Sequence, residues 1–254
     1  MIAHDPHLSV RLARSEVDLK GAQRLRYRVF VEELGGDGPL VDHDAQLEVD
    51  VHDPHYAHLV LVDDRRGSTQ LEHVVGVYRL MPGNAAKAHG YYCAGEYDLT
   101  ALTESGRKLL ELGRSCLHPD YRGGSAMYLL WQALARYIQE HGIEVLFGVA
   151  SFHGTDLTEL AAPLSLLRAR HLAPEDLRVR SLDYQPMDLL PEAKIDRRAA
   201  TAAIPALIKA YLRLGGFVGD GAFIDRPFNT TDVCLILDIA RMDPRLRAQY
   251  AAAV

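Results

Sequence analysis

The sequence predicts an α/β layered fold, and three observations carry that expectation. Leu109–Leu117 reads as a strand that runs through a glycine-bearing turn into a helical stretch from about Ser125 to His141. Gly142 then returns the chain to a second apolar run of strand length, Ile143–Ala150. Strand, turn, helix and strand at this spacing stack a helix on a sheet. The third observation is composition. With 254 residues, 48% hydrophobic and 24% charged, the chain is ordinary globular material with enough apolar side chains for a substantial core.

Taken in order, residues 8–14 alternate apolar and polar, the period of a half-buried strand. The next stretch, 17–30, places Ala22, Leu25 and Val29 at i, i+3 and i+7, one face of a helix. Gly35-Gly36-Asp37-Gly38-Pro39 breaks the chain. Residues 32–72 are acidic, with eleven carboxylates against Arg65 and Arg66. Within them and just beyond, the apolar runs 58–62 and 73–80 read as strands joined by a turn or short loop. Met81–Gly95, with Pro82, Gly83, Asn84, Gly90 and Gly95, reads as a loop.

After the central strand, Ala126, Leu129, Leu130, Ala133, Leu134, Tyr137 and Ile138 form the buried stripe of a helix that Gly142 stops. Asp156–Arg170 reads as helical despite Pro163, and 172–191 as irregular with three prolines. Ala199–Leu214 reads as a helix interrupted at Pro205, and Asp232–Ile239 as a last strand. No internal repeat is visible. The expectation is a single domain over 1–254 with a variable irregular segment at about 171–198.

Charge and cysteines exclude whole classes. A net charge of −6 is the wrong sign for a protein that coats nucleic acid, so no nucleic-acid partner is expected. Cys93, Cys116 and Cys234 are odd in number and widely spaced, with no CxxC, which excludes a disulfide scaffold and a cysteine-rich zinc module. The start, Met1-Ile2-Ala3-His4-Asp5-Pro6, has neither a basic nor an apolar leader region. No apolar run approaches the roughly 20 residues of a membrane span. A soluble, cytoplasmic protein is expected.

The most informative segment is Glu111–Ala126. Its Arg122-Gly123-Gly124 stands before a helix whose first backbone N–H groups lack intrahelical partners, and whose dipole is positive at that end. Such a turn binds phosphate, although the same residues also make an ordinary tight turn. Glu111 and Arg114 lie three residues apart, so strict alternation places them on opposite faces. For both to serve one site, the strand needs a bulge near Gly113. Without one they are a bystander charge pair.

Several motifs together carry a resemblance. They are Leu25-Arg26-Tyr27-Arg28-Val29-Phe30-Val31-Glu32-Glu33-Leu34-Gly35, Asp50-Val51-His52-Asp53, Val75–Leu80 and Glu111–Ala126. In these the chain resembles acyl-homoserine-lactone autoinducer synthases and ornithine-lipid acyltransferases, both of the GCN5-related N-acyltransferase fold. Phe147–Phe152, Ile204–Gly215 and Phe228-Asn229-Thr230 extend the similarity to the L-ornithine Nα-acyltransferases over roughly residues 8–240. The fold so implied is a mixed, mostly antiparallel sheet flanked by helices.

The resemblance implies transfer of a 3-hydroxyacyl group from acyl carrier protein to the α-amine of L-ornithine, giving lyso-ornithine lipid. No bound cofactor is expected, the donor arm being the carrier's 4′-phosphopantetheine. Glu111 matches the strand glutamate of the autoinducer synthases and is expected, with Arg114 on the same strand, to be catalytic; its carboxylate takes the amine proton. Backbone N–H groups near Leu117 are the expected oxyanion donors. Arg122, Gly123, Gly124 and Ser125 are expected to hold the phosphopantetheine. The family loop is Arg/Gln-x-x-Gly-x-Gly/Ala, and Ser125 stands where glycine is expected, a departure that suits a donor with fewer phosphates than coenzyme A.

For the amino acid, Arg79 or Arg114 presents a fork that matches a carboxylate. Asp50 and Asp53, matching paired acids of the autoinducer synthases, hold the cationic end or support the arginines. The same four residues also fit a purely structural salt-bridge network. Arg168, Arg170, Arg178, Arg180, Arg197 and Arg198 gather in sequence as a basic face for an acidic carrier, although interspersed acids fit a merely solvated surface.

Other candidates fit less well. His52, His55 and His58 suggest a metal, but Asp53-Pro54 prevents a continuous helix that would align them, so no metal is expected. Cys116 reads as a small hydrophobe. Ser151 and His153 lack a Gly-x-Ser-x-Gly elbow. The alternatives are an acyl-homoserine-lactone or other N-acyl amino acid synthase and, from another class, a non-catalytic haemolysin-like lipid-interaction protein. The latter needs an apolar insertion segment or a basic amphipathic helix, and Ala199–Leu214 is the nearest candidate. A lipid product must reach a bilayer, which makes peripheral contact at the inner membrane face a further expectation.

Overall fold

The computed structural model of the chain describes residues 5–243 and 245. Met1–His4, part of the stretch read for a leader, lie outside the described residues. The principal elements, in chain order, begin with β1 (Leu8–Leu12), α1 (Glu16–Arg26), β2 (Ala57–Asp63), β3 (Val74–Pro82) and α2 (Gly83–His89). They continue with β4 (Leu109–Leu117), α3 (Ala126–His141), β5 (Val145–His153) and α4 (Ala161–His171). The last are α5 (Arg197–Ala203), α6 (Ala206–Arg213) and β6 (Thr230–Asp238). The described residues form two compact units, one of 5–81 and 112–142, the other of 82–111, 143–243 and 245.

In the first unit β1 pairs antiparallel with β2, and β2 antiparallel with β3. β3 in turn neighbours β4. Ser15 caps α1 by accepting the N–H of Asp18, and the helix continues into π turns over Tyr27–Glu33. Ala22, Leu25 and Val29 are all buried and pack with Val60, Val62, Val74, Val77 and Cys116. Residues of the opposite parity meet α3. A Cβ placed on Gly76 would stand 2.7 Å from Leu117 and 2.9 Å from Leu130, so only glycine lets that helix seat. Helices on both faces explain why β2 and β3 read as unbroken apolar runs.

In the second unit the first three residues of β4, Leu109–Glu111, run parallel to Val145–Phe147 of β5. β5 pairs antiparallel with β6 along its length, Val145 opposite Asp238 and His153 opposite Thr230. The sheet is therefore mixed and mostly antiparallel. Its core gathers Cys93, Tyr97, Leu102, Leu109, Val145 and Phe147 with Cys234 and Ile236. The irregular stretch after α4 contributes Ala173, Leu177 and Val179 to that core, and its backbone is tied down by Ala173 N–H to Val218 O and Leu182 N–H to Glu96 O.

Two expectations need correction. Met81–Gly95 is not all loop: Pro82 and Gly90 bracket the helix α2, whose Ala85, Ala86, Lys87 and Ala88 are strong helix formers. The helix read from Asp156 begins only at Ala161, which places Pro163 in the first turn, where a missing N–H costs nothing. Pro205 separates α5 from α6 as expected, and Gly142, at φ +61°, ends α3.

Candidate active site

Glu111 lies on β4 and is 1% exposed. Its carboxylate is held by one turn, Tyr92–Gly95. The Tyr92 N–H donates to Oε2 at 3.0 Å and the Cys93 N–H to Oε1 at 2.6 Å. These amides open the turn and have no acceptor within it; the turn's own bonding starts at Ala94, whose N–H reaches Tyr91 O at 3.2 Å. Burial, with Cys234 and Glu111 nearby, pushes the Cys93 thiol well above its ordinary value, so this sulfur stays protonated. Tyr91 packs edge-on against Phe147, and burial beside Glu111 pushes its phenol up to about 12.

The first unit contains a buried ionic network of three arginines and three carboxylates. Arg26 reaches Asp53 from Nη1 at 2.7 Å and from Nη2 at 2.9 Å, donates to the Glu48 carbonyl at 2.6 Å, and pairs through Nε with the Glu48 carboxylate. Arg79 reaches Asp50 at 2.6 Å and Asp53 at 3.1 Å, with its guanidinium 4.4 Å from the Tyr56 ring centroid. Arg114 bonds Glu48 and Asp50, each at 3.2 Å. Gln23 adds a hydrogen bond to Asp53 at 2.9 Å. Arg26, Glu48, Asp53 and Arg79 are sealed, whereas the Asp50 and Arg114 side chains keep 11% and 13% exposure. These two form the reachable edge of the network.

The backbone at Arg114 has φ +50°, left-handed and unusual for a residue with a Cβ. The regular alternation of β4 is thus interrupted directly after Gly113, the place where a site shared by Glu111 and Arg114 requires it.

Burial alone would raise Asp53, but the charge and hydrogen bonds of Arg26, with Gln23 and Arg79, outweigh it and hold the carboxyl well below the usual range. Asp50 is likewise lowered against burial by Arg79 and Arg114. His58 lies under this network and is pushed down chiefly by burial, so it is kept neutral. All three groups bind protons more weakly folded than unfolded, so stability falls as pH falls. Erosion is expected to begin below about 6.5, through His58, and to steepen below about 3.9, through the aspartates. Urea midpoints measured between pH 7 and pH 3 check this; a midpoint constant down to pH 3 would refute it.

The turn before α3 is open: Arg122, Gly123 and Gly124 are exposed and Ser125 is partly so. Gly123, at φ +75°, adopts a conformation that favours glycine. No side chain caps the N-terminus of α3. Arg122 lies in a two-pronged pair with Glu33, at 2.6 and 2.7 Å, and its Nε and Nη2 also donate to Leu117 O. An incoming anion would therefore compete with Glu33 for the guanidinium.

Sequence reasoning singled out Glu111, Asp50, Asp53, Arg79, Arg114 and Arg122–Ser125. It missed Arg26 and Glu48 as the inner half of the network, Glu33 as the partner of Arg122, and the turn that holds Glu111. Arg26 did stand inside the helix motif, two residues from Arg24 and from Arg28 and so on the opposite side of the helix from both.

The arginines proposed for a carrier face are largely engaged within the second unit. Arg168 and Arg180 pair with Asp220 at 2.5 and 2.7 Å, and Arg170 and Arg197 share Glu192. Arg178 donates to Ala173 O at 2.8 Å.

The three histidines do not converge. His52 stacks edge-on with Tyr56, while His58, inside β2, contacts Asp53 O at 3.0 Å. Burial pushes the Cys116 thiol up to about 12, consistent with a hydrophobic role. Among the described residues, Glu96, Asp225 and Asp232 bring carboxylate oxygens within 4.8 Å of one another. No helix among them is long and apolar enough to cross a membrane.

Comparison with known proteins fits this architecture. Residues 25–132 match a family described as an acetyltransferase (GNAT) domain. A CoA-dependent acyl-homoserine lactone synthase superposes with TM-score 0.52 at 15% identity, covering 93% of this chain and 82% of that one. An N-acyl amino acid synthase from uncultured soil microbes gives 0.54 at 12% identity, covering 96% and 99%. At such identities they show the shared fold alone. Sequence goes further. An L-ornithine N(alpha)-acyltransferase of Brucella abortus is 43% identical, covering 96% of this chain and 89% of its own. One of Rhodobacter capsulatus is 58% identical over 246 residues, 96% of this chain and 95% of the relative. Identity of that size, sustained almost end to end, places the chain in the L-ornithine N(alpha)-acyltransferase family.

Proposed function

We propose that the protein transfers a 3-hydroxyacyl group from acyl carrier protein to the α-amine of L-ornithine, releasing lyso-ornithine lipid and the carrier thiol. The observation that carries this reading is the 58% identity, across 96% of the chain, with a relative named for ornithine Nα-acylation. The neutral amine attacks the thioester carbonyl, the C–N bond forms, the C–S bond breaks, and the electron pair leaves on pantetheine sulfur, which takes up the proton the amine gives up and departs as the thiol. Glu111 accepts the amine proton, directly or through one water. Support for that role is a carboxylate whose orientation is fixed by two backbone amides, one on each oxygen.

Arg114 receives the ornithine carboxylate and Asp50 its distal ammonium, because these are the reachable members of the network. Arg79 and Asp53, buried inside it, position them. The open N-terminal turn of α3, Arg122–Ser125, takes the single phosphodiester of the phosphopantetheine arm, and backbone N–H groups near Leu117 face the developing oxyanion. Acylation takes place in the cytoplasm, and the lipid product is passed on through peripheral contact with the membrane's inner face.

The test is thiol release from 3-hydroxyacyl carrier protein, measured with a panel of amino acids. Release that requires ornithine and is several-fold slower with lysine or other amines is expected. Release indifferent to the amino acid, or none with any, overturns the proposal. Repeating the assay with 3-hydroxyacyl-CoA tests the choice of donor.

A further inference from the structure

We propose that the backbone of the Tyr92–Cys93 turn is a positioning device for Glu111, acting on the reaction through the carboxylate without touching substrate. The inference rests on the reading of Glu111 as the base and deepens it. Each carboxylate oxygen receives one amide N–H from consecutive residues of the same turn, at 3.0 and 2.6 Å. A carboxylate offers about four lone-pair directions. The amide pair takes one on each oxygen and so fixes the plane of the group.

The turn is braced for this task. Ala94 N–H to Tyr91 O and Glu96 N–H to Cys93 O close it, and Leu182 N–H to Glu96 O ties it to the anchored stretch after α4. The Cys93 side chain is 1% exposed within the core of the second unit, so the amide beside it cannot swing away.

One substitution removes a single clamp donor. Tyr92 is the first residue of the turn, where proline fits, and Tyr91 before it is extended at φ −102°, ψ 147°, as a residue preceding proline prefers. Tyr92→Pro therefore deletes the N–H to Oε2, while Tyr92→Ala deletes the side chain and keeps that N–H. Relative to Tyr92→Ala, Tyr92→Pro is expected to lower kcat by about 10- to 100-fold, the usual range for a lost hydrogen bond to a charged group, with KM for ornithine within about twofold.

In a Glu111→Gln background the same change should cost less than about twofold under single-turnover conditions, because a device that works through the carboxylate has nothing left to position. Equal kcat for the proline and alanine variants overturns the proposal. So does a proline penalty that persists undiminished in the Glu111→Gln background, which marks a merely structural effect. Should Tyr92→Pro fail to fold, an ester in place of the Tyr91–Tyr92 amide removes the same N–H with no side-chain change, and the same outcomes decide. A Glu111→Gln enzyme of near-normal rate would sink the base assignment itself. An inactive Glu111→Gln beside indifferent Tyr92 variants would sink the clamp alone.

Discussion

Replacing Glu111 with glutamine is expected to lower kcat by about 10²- to 10⁴-fold, the range that a positioned general base supplies. KM for ornithine should stay within a few-fold, since the base acts on the proton released in the transition state and adds little to ground-state binding. Steady-state kinetics with carrier-bound donor and varied ornithine separate the two parameters. A rate within about threefold of the parent would remove Glu111 as the base. So would a loss confined to KM, which would make it a binding group.

The substitution also has a structural cost. Glutamine has one oxygen where glutamate has two, so either the Tyr92 or the Cys93 N–H then faces an NH₂ group. A buried donor so stranded costs about 1–3 kcal/mol, and the thermal midpoint should fall accordingly. Glu111→Asp retains both oxygens on a stem shorter by one methylene. It is expected to fold better than the glutamine variant yet recover little rate, because the shorter stem cannot hold both amides and reach the amine. Rate and stability should therefore rank the two variants differently, which a purely structural role for Glu111 would not produce.

Periodicity sufficed where one face of an element meets a core. Ala22 and Leu25 on α1, and Val29 in the π turns that continue it, were legible because all three are buried at helical spacing. Gly142 and Pro205 were legible because they act locally, one ending α3 and the other parting α5 from α6. The site was only half readable. Gly113 flagged the interruption of β4, but that the left-handed residue is Arg114 depends on tertiary pairing across Glu48 and Asp50, 66 and 64 positions away. Arg26 and Glu48 were invisible as partners for the same reason: charge patterning sees neighbours in sequence, and this pair is 22 residues apart. The amides that hold Glu111 carry no side-chain signature at all. Gly83–His89 is hidden in the sequence because Pro82 and Gly90, residues that favour loops, are here the two boundaries of a helix.

The second large effect is expected at Arg26. Arg26→Met preserves much of the side chain's length and apolar stem but strands Glu48 and Asp53, both almost wholly buried, without their principal cation. Removing one partner of a buried pair typically costs about 3–5 kcal/mol. Arg79 on Asp53 and Arg114 on Glu48 remain as partial counterions, so the lower end of that range is expected. For a chain of this size the thermal midpoint should fall on the order of 10 °C. Lys20→Ala, which breaks the exposed pair with Glu16, should leave the midpoint where it is. Arg26→Met combined with Asp53→Asn should recover part of the loss, since the stranded charge is gone, whereas Asp53→Asn alone should destabilise. Denaturant titrations of the three variants test this as a cycle, and additive losses would refute the account. The network matters beyond stability because 34–56 contains little regular structure, only a two-residue strand pair and one tight turn. Glu48, Asp50 and Asp53 are its ionic fastenings to α1, β3 and β4. Losing Arg26 should therefore loosen that segment first, so limited proteolysis is expected to cut within 34–56 before any other part of the first unit, and the reachable edge formed by Asp50 and Arg114 should lose ornithine affinity along with it.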